Sequence, residues 1–321
     1  MRRFKNILVL SAPDSHSDAL IARSRWLAEA NGAMLTVMDV IDTRGVEFAR
    51  LLSAIPAGCA ADVEEQVVAY REDKLERLAS TLRDEGLTVR TTLARGKGFV
   101  EVIRQVLRNE NDLVLKAADR SAARNVLAGP DLHLLRKCPC PVWILNSAAE
   151  PCARRILAAV DPDPEDLERD ALNHQVMLLA TSLASRDNAR LDVLHAWYLY
   201  EESALRSSFL KTPRVEIDAL LANAERHSKW RLSALTTAYD EFSERMHIVH
   251  VNGIPEDVIV EHAENERIDT LVMGTLGRSG LAGFFIGNTA DTVLNRVGCS
   301  VVAVKPEGFV SPVTLDDEVS A

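Results

Sequence analysis

Lys5-Asn6-Ile7-Leu8-Val9-Leu10-Ser11 and Arg154-Arg155-Ile156-Leu157-Ala158-Ala159-Val160 are two versions of one short apolar run, each leading into a Pro-Asp pair, Pro13-Asp14 and Pro162-Asp163. An apolar run closed by a turn signal is how a strand buried on both faces of a parallel sheet reads. Its recurrence half a chain later directs attention to an internal repeat. The repeat extends along the chain: every element that follows the first run has a counterpart after the second.

Helical periodicity covers about 15–30 in the first copy, with Leu20, Ile21, Ser24, Leu27 and Ala28 on one face. In the second copy it covers about 164–183, with Leu172, Val176, Leu179 and Leu183 in register. Second strands are expected at 34–40 and 190–196, and long helices at about 60–85 and 213–241. Third strands, 87–93 and 246–251, run into the turns Arg95-Gly96 and Asn252-Gly253. Helices at 99–109 and 256–265 lead to fourth strands at 112–116 and 269–273, and fifth strands at 141–145 and 300–304 close the copies. Strands alternating with helices predict an α/β fold: two tandem open parallel five-stranded sheets with helices on both faces, Rossmann-like in kind. The expected boundaries are 1–148 and 152–310, joined near Ser147–Pro151, with an acidic tail at 311–321. Ligands of such sheets sit beyond the carboxyl ends of the strands, so functional residues are sought there.

A chain of 321 residues is long enough for two such domains, and its balance of 47% hydrophobic and 26% charged residues is that of a folded globular protein. The opening segment, with Arg2, Arg3 and Lys5 before an apolar run soon broken by Ser11, Asp14 and His16, reads as a first strand rather than a signal peptide. No stretch reaches the roughly 20 apolar residues of a membrane span. Residues 1–150 hold 21 Lys+Arg against 20 Asp+Glu; subtracting from totals of 37 and 47 leaves 16 against 27, so the net charge of −10 resides in the second half. That balance argues against nucleic acid or an anionic membrane as partner. Five cysteines without a secretory signal fit reduced thiols and a cytoplasmic location. Cys138-Pro139-Cys140 has one intervening residue rather than two and no Cys/His pair nearby in sequence, so it is read as two thiols packed at a strand start.

After the fourth strand of the second copy comes Met273-Gly274-Thr275-Leu276-Gly277, and, nine residues beyond Gly277 and Arg278, Gly287-Asn288-Thr289 opens a helical run. Glycines let backbone approach a ligand, and free N–H groups at a helix start attract phosphate oxygens. The spacing G-x2-G-x9-G between strand and helix resembles the nucleotide motif of the universal stress protein family, whose domains are adenine nucleotide alpha hydrolase-like. The duplicated chain resembles the family's tandem members of the E type over nearly its whole length. That resemblance implies a stress-response regulatory protein binding an adenine nucleotide, ATP or ADP with or without Mg2+, in the C-terminal copy. It places Asp161 and Ala196 at the adenosine, Met273 and Gly274 beside base and ribose, and Gly277, Arg278, Gly287, Asn288 and Thr289 along the phosphates. The family's Ser/Thr after the third glycine is Asn288 here, whose amide can still donate.

Aligned without a gap, positions 274, 277, 287 and 288 become Lys116, Asp119, Gly129 and Pro130 in the first copy, and Asp161 becomes Ala12. Side chains then stand where backbone approach was needed, Asp119 and Asp131 oppose an anion, and Pro130 lacks an N–H. The first copy is therefore expected to be degenerate. Lys116, Arg120 and Arg124 leave open the alternative of a remodelled anion site.

His195 is read as a buried or cleft-lining histidine, and His247 and His250, three apart on a strand, face opposite sides, so no metal is expected. The aromatic segment 197–211 is read as a lid over the second copy or as packing against the first domain. No catalytic residue is assigned, and slow ATP hydrolysis is the most that is expected of the chain. Adenylyl transfer, or carriage of an apolar small molecule between the domains, are the alternatives. The family's fifth strands pair edge to edge, so 141–145 and 300–304 are expected to form a pseudo-dimer within one chain, and a homodimer of the tandem chain is a further expectation.

Overall fold

The computed structural model describes residues 4–11, 18–42, 60–118, 127, 129–146, 149–199, 202–206, 213–275 and 287–315. In the first half, β1 (Asn6–Leu10), α1 (Asp18–Asn31), β2 (Met34–Ile41), α2 (Ala60–Asp84), β3 (Val89–Arg95), α3 (Gly98–Asn109), β4 (Leu113–Ala117), α4 (Gly129–Lys137) and β5 (Val142–Leu145) follow in order. The second half repeats the plan as β6 (Arg155–Ala159), α5 (Leu167–Asp187), β7 (Arg190–Trp197), the short α6 (Glu202–Leu205), α7 (Arg214–Thr237), β8 (Met246–Asn252), α8 (Pro255–Asn265), β9 (Thr270–Gly274), α9 (Asn288–Leu294) and β10 (Ser300–Val304).

The ten strands form one sheet in the order β3-β2-β1-β4-β5-β10-β9-β6-β7-β8. Pairing is parallel within each half, and the halves meet where β5 and β10 run antiparallel, Ile144 opposite Val301 and Trp143 opposite Val302. The expected pseudo-dimer is thus built by hydrogen bonding between fifth strands, and it fuses the two five-stranded sheets into one. Because β5 and β10 are antiparallel, the carboxyl ends of the two sets of strands point to opposite rims.

Alternation along the strands divides the core in two. Ile7, Val9, Trp143, Ile156, Val193 and Val302 face α1, α2, α5 and α7, whereas Leu8, Ile144, Leu157, Leu194 and Val301 face α3, α4, α8 and α9. Near-complete burial on both sides is why these strands read as continuous apolar runs. Local signals set the element ends. The Asp166 carboxylate accepts from the Arg169 N–H at 3.1 Å to start α5, and Asn188, in left-handed backbone at φ 53°, ends it. The third strand begins at Val89 rather than 87, because Gly86 (φ 89°) and the Leu87 N–H, bonded to the Leu82 carbonyl, still belong to the exit turn of α2.

Side chains reinforce the seam. Arg23 of α1 meets Asp187 of α5 with both nitrogens on both oxygens at 3.0 and 2.9 Å, Arg136 of α4 reaches Asp291 of α9 at 2.6 Å, and Lys305 donates to the Leu135 and Arg136 carbonyls. Beyond β10 the chain turns back over the first half, where the Arg104 guanidinium donates to the Thr314 carbonyl at 3.3 Å.

Candidate functional site

The carboxyl ends of β6, β7 and β9 converge on one rim. Asp161 follows β6 directly, and its backbone is stapled to α5: the Asp161 N–H donates to Asn173 Oδ1 and Asn173 Nδ2 donates back to the Asp161 carbonyl, both at 2.9 Å. This leaves the Asp161 carboxylate 41% exposed, with the Arg169 guanidinium 3.9 Å away. Arg169 also contacts Asp163 at 3.1 Å and Asp166 at 3.5 Å, and Arg231 of α7 meets Asp163 at 3.2 Å, so two arginines and three carboxylates frame the rim.

Ala196 and Met273 are buried near the ends of β7 and β9, on the sheet face covered by α8 and α9. Gly274 is small for a reason the sequence did not disclose: a Cβ there would lie 2.7 Å from Leu172 Cδ2 of α5, so the glycine permits helix packing at the strand end. Thr275 then fixes the root of the loop, its N–H and hydroxyl both donating to the Val304 carbonyl at 3.0 and 3.2 Å. The far end is pinned beside it, since the Gly287 N–H donates to the Thr275 carbonyl at 3.2 Å. Gly287 is the residue before α9, Asn288 is exposed, and the Thr289 hydroxyl donates to Glu256 of α8 at 3.2 Å instead of pointing freely toward a phosphate. Gly277 and Arg278 lie outside the described residues.

Asn173 and Glu256 escaped the sequence reading, and Leu172 was read only as part of the helix's apolar face. An asparagine on the otherwise apolar inner face of α5 was the visible signal for the first. Glu256 could not be found, because its partner is 33 residues away.

His195 is buried, its Nδ1 3.1 Å from the Val160 carbonyl oxygen, and thus a satisfied side chain of the rim. Its ring centroid lies 6.0 Å from that of His250, which stacks with Trp197 at 5.8 Å and bonds Ser228 at 2.9 Å. Burial, followed by the nearby His195 and Lys229, holds His250 below its ordinary pKa, outweighing Glu225. Among the described residues no group of three or more His, Cys, Asp or Glu is arranged to hold a metal ion. Of the segment 197–211, residues 200–201 and 207–211 lie outside the described residues; Tyr198 is 40% exposed.

The first half differs at the matching rim. Where Gly274 and Thr289 stand in the second half, the first has Lys116 and Asp131, and they form an ion pair of 2.8 Å with the carboxylate fully buried. Asp131 therefore does not act as an exposed charge repelling anions, as the sequence suggested. Its charge is compensated by Lys116, whose ammonium also donates to the Ala117 carbonyl at 3.0 Å. Asp119, Arg120 and Arg124 lie outside the described residues. At the seam, a void of about 20 Å³ lined by Phe4, Trp26, Trp143, Leu179 and Val302 has room for little more than one water. No described helix is long and apolar enough to cross a membrane.

A parallel α/β repeat, joined into one sheet through antiparallel fifth strands, defines a class of tandem α/β folds. The family model described as the universal stress protein family matches residues 3–146 and again 153–305. The chain belongs to the universal stress protein family, as a tandem two-domain member. It is 29% identical to universal stress protein E of Salmonella typhi and 28% identical to that of Escherichia coli (strain K12), in both cases over 99% of each chain. Among solved structures, a functionally unknown protein from Pseudomonas aeruginosa PAO1 superimposes with a TM-score of 0.69 at 24% identity, covering 94% of this chain and 93% of that one. A universal stress protein from Archaeoglobus fulgidus DSM 4304 gives 0.60 at 14% identity, covering 94% and 98%.

Proposed function

We propose that this universal stress protein is a regulatory protein that binds one adenine nucleotide, ATP or ADP with or without Mg2+, in its C-terminal half. In this reading Asp161 and Ala196 receive the adenosine, Met273 and Gly274 border base and ribose, and Gly277, Arg278, Gly287, Asn288 and Thr289 line the phosphates. The observation that carries it is the contrast between the halves. The first half fills its rim with the Lys116–Asp131 pair, whereas the second has a glycine and a threonine at those positions and a glycine-spaced loop between them. Backbone N–H groups at a strand–loop–helix junction suit phosphate oxygens, and the Thr289 hydroxyl would exchange Glu256 for a phosphate acceptor.

Calorimetric titration of ATP, with and without Mg2+, into the wild-type chain and into Gly277→Lys tests the proposal. Binding with one site per chain is expected for the wild type and none for the variant, while Gly129→Ala, in open space in the first half, leaves the titration unchanged. A wild-type chain that takes up no adenine nucleotide, or a Gly277→Lys chain that binds as well as wild type, refutes it.

A further inference from the structure

Sequence places two thiols one residue apart at Cys138-Pro139-Cys140, and the fold turns them toward each other. Cys138 closes the end of α4, its N–H donating to the Leu134 carbonyl at 2.9 Å, and Cys140 leads into β5. The intervening proline fixes its own φ and contributes no N–H, so the turn is stiff. The two sulfurs lie 3.6 Å apart, with Cys138 fully buried and Cys140 8% exposed.

A cation arrives from the other half. Lys305, the residue after β10, is buried, and its ammonium donates to the Leu135 and Arg136 carbonyls at 2.7 and 3.1 Å and lies 4.8 Å over the Phe309 ring. Carbonyls and a ring offset only part of the cost of burying a charge. Burial accordingly pulls Lys305 down to about 8, and among the described residues Cys138 is the titratable group that pulls it back up. Burial raises the Cys138 thiol, but its hydrogen bond from Cys140, a backbone hydrogen bond and the Lys305 charge together bring it below the ordinary 9.0. Cys140 is pushed the other way by the same hydrogen bond and by burial. The arrangement is therefore unsymmetrical: Cys138 is the easier of the two thiols to ionise and Cys140 the harder.

We propose that Cys138 and Cys140 are a redox-active dithiol, which a hydroperoxide of the size of hydrogen peroxide oxidises to an intramolecular disulfide, and that Lys305 is the positioning residue for the Cys138 thiolate. The thiolate sulfur attacks one peroxide oxygen; the O–O bond breaks, hydroxide departs and takes a proton from solvent, and Cys138 is left as a sulfenic acid. The Cys140 sulfur then attacks the Cys138 sulfur. The S–S bond forms as the S–O bond breaks, and the hydroxide leaves with the Cys140 proton as water. Two thiols lose two electrons and two protons, one peroxide gains them, and two waters result. Closing from 3.6 Å to a bond of about 2.05 Å requires each sulfur to move less than an ångström by side-chain rotation. Burial restricts the reaction to small oxidants, and the disulfide removes the anion opposite Lys305 at the seam of the two halves, close to Thr275 and the root of the glycine loop.

The test uses the full chain carrying Cys152→Ser, because trypsin releases 138–154 as one peptide and the exposed Cys152 would confuse it. After hydrogen peroxide at pH 7, the chain is unfolded in N-ethylmaleimide and digested. The expected product is peptide 138–154 lighter by two hydrogens and unalkylated, formed before Cys299 reacts, since burial pushes that thiol up to about 12. Lys305→Met slows the reaction about tenfold by lowering the thiolate fraction, and Lys305→Arg restores it. Cys140→Ser, which keeps the size of the side chain, instead halts at a Cys138 sulfenic acid that dimedone captures. The proposal is overturned if both cysteines remain alkylated while Cys299 oxidises, if Cys138 passes to sulfinic acid with no disulfide, or if Lys305→Met reacts at the wild-type rate.

Discussion

Removing the Asp187 carboxylate is expected to destabilise the whole chain more than any single apolar truncation at the seam. Asp187 and Arg23 are 2% and 4% exposed and meet in a two-fold contact of 2.9 and 3.0 Å; Asp187 also accepts the Ala153 N–H at 2.8 Å, and Arg23 lies 4.9 Å over the Trp143 ring. Asp187→Ala strands a guanidinium on aromatic faces alone, worth about 3–5 kcal/mol for a broken buried pair, and leaves a backbone N–H without its acceptor, worth about 1 kcal/mol more. A loss of about 4–6 kcal/mol is therefore expected. Arg23→Met should cost about 3 kcal/mol, because Asp187 keeps the Ala153 N–H. The double variant Arg23→Met/Asp187→Leu should be far less damaged than the sum, within about 2 kcal/mol of wild type, since an apolar pair of similar volume avoids both desolvation penalties. Urea unfolding followed by circular dichroism gives the cycle. Single losses below about 1 kcal/mol, or singles that simply add in the double variant, would show that the pair is not what joins the two helices.

Gly274→Ala should cost about 1–3 kcal/mol by driving a methyl to 2.7 Å from Leu172 Cδ2, and Leu172→Ala in the same chain should recover part of that in thermal unfolding. Lys116→Met withdraws an ammonium from a fully buried carboxylate and should cost about 3 kcal/mol in urea unfolding, without altering ATP binding by the second half. His250 is held below its ordinary 6.5 in the folded chain, so below that pH the unfolded chain binds a proton that the folded chain refuses. Stability should then fall from pH 7 toward 5 by at most about 1.4 kcal/mol per pH unit from this group, and unfolding of His250→Gln at both pH values should show a shallower loss.

The repeat and the alternation of strands and helices were legible because buried parallel strands and their crossover helices impose distinct periodicities, as in 5–11 and 154–160, whereas the fifth-strand pairing came from the family resemblance and the strand order within each half only from the structure. The glycine loop was legible for the same reason: its spacing is local. What each rim side chain does was less so. Gly274 read as room for a ligand, yet it accommodates Leu172; Thr289 read as a phosphate donor, yet it holds Glu256; Asp131 read as an open charge, yet Lys116 compensates it. Cys138 and Cys140 read as thiols packed at a strand start and are buried there, but nothing near them in sequence announced Lys305, 167 positions downstream of Cys138, at the end of the same helix.

By itself the sequence determined a duplicated α/β chain with one glycine-spaced loop, since strand and helix periods and turn chemistry act over a few residues. Only the tertiary structure decided which charges are matched and which thiols face each other. Arg23 with Asp187, Lys116 with Asp131 and Lys305 with the carbonyls at the end of α4 meet through sheet pairing and helix packing, and the energy of a buried charge depends on the partner brought to it, not on its neighbours in the chain.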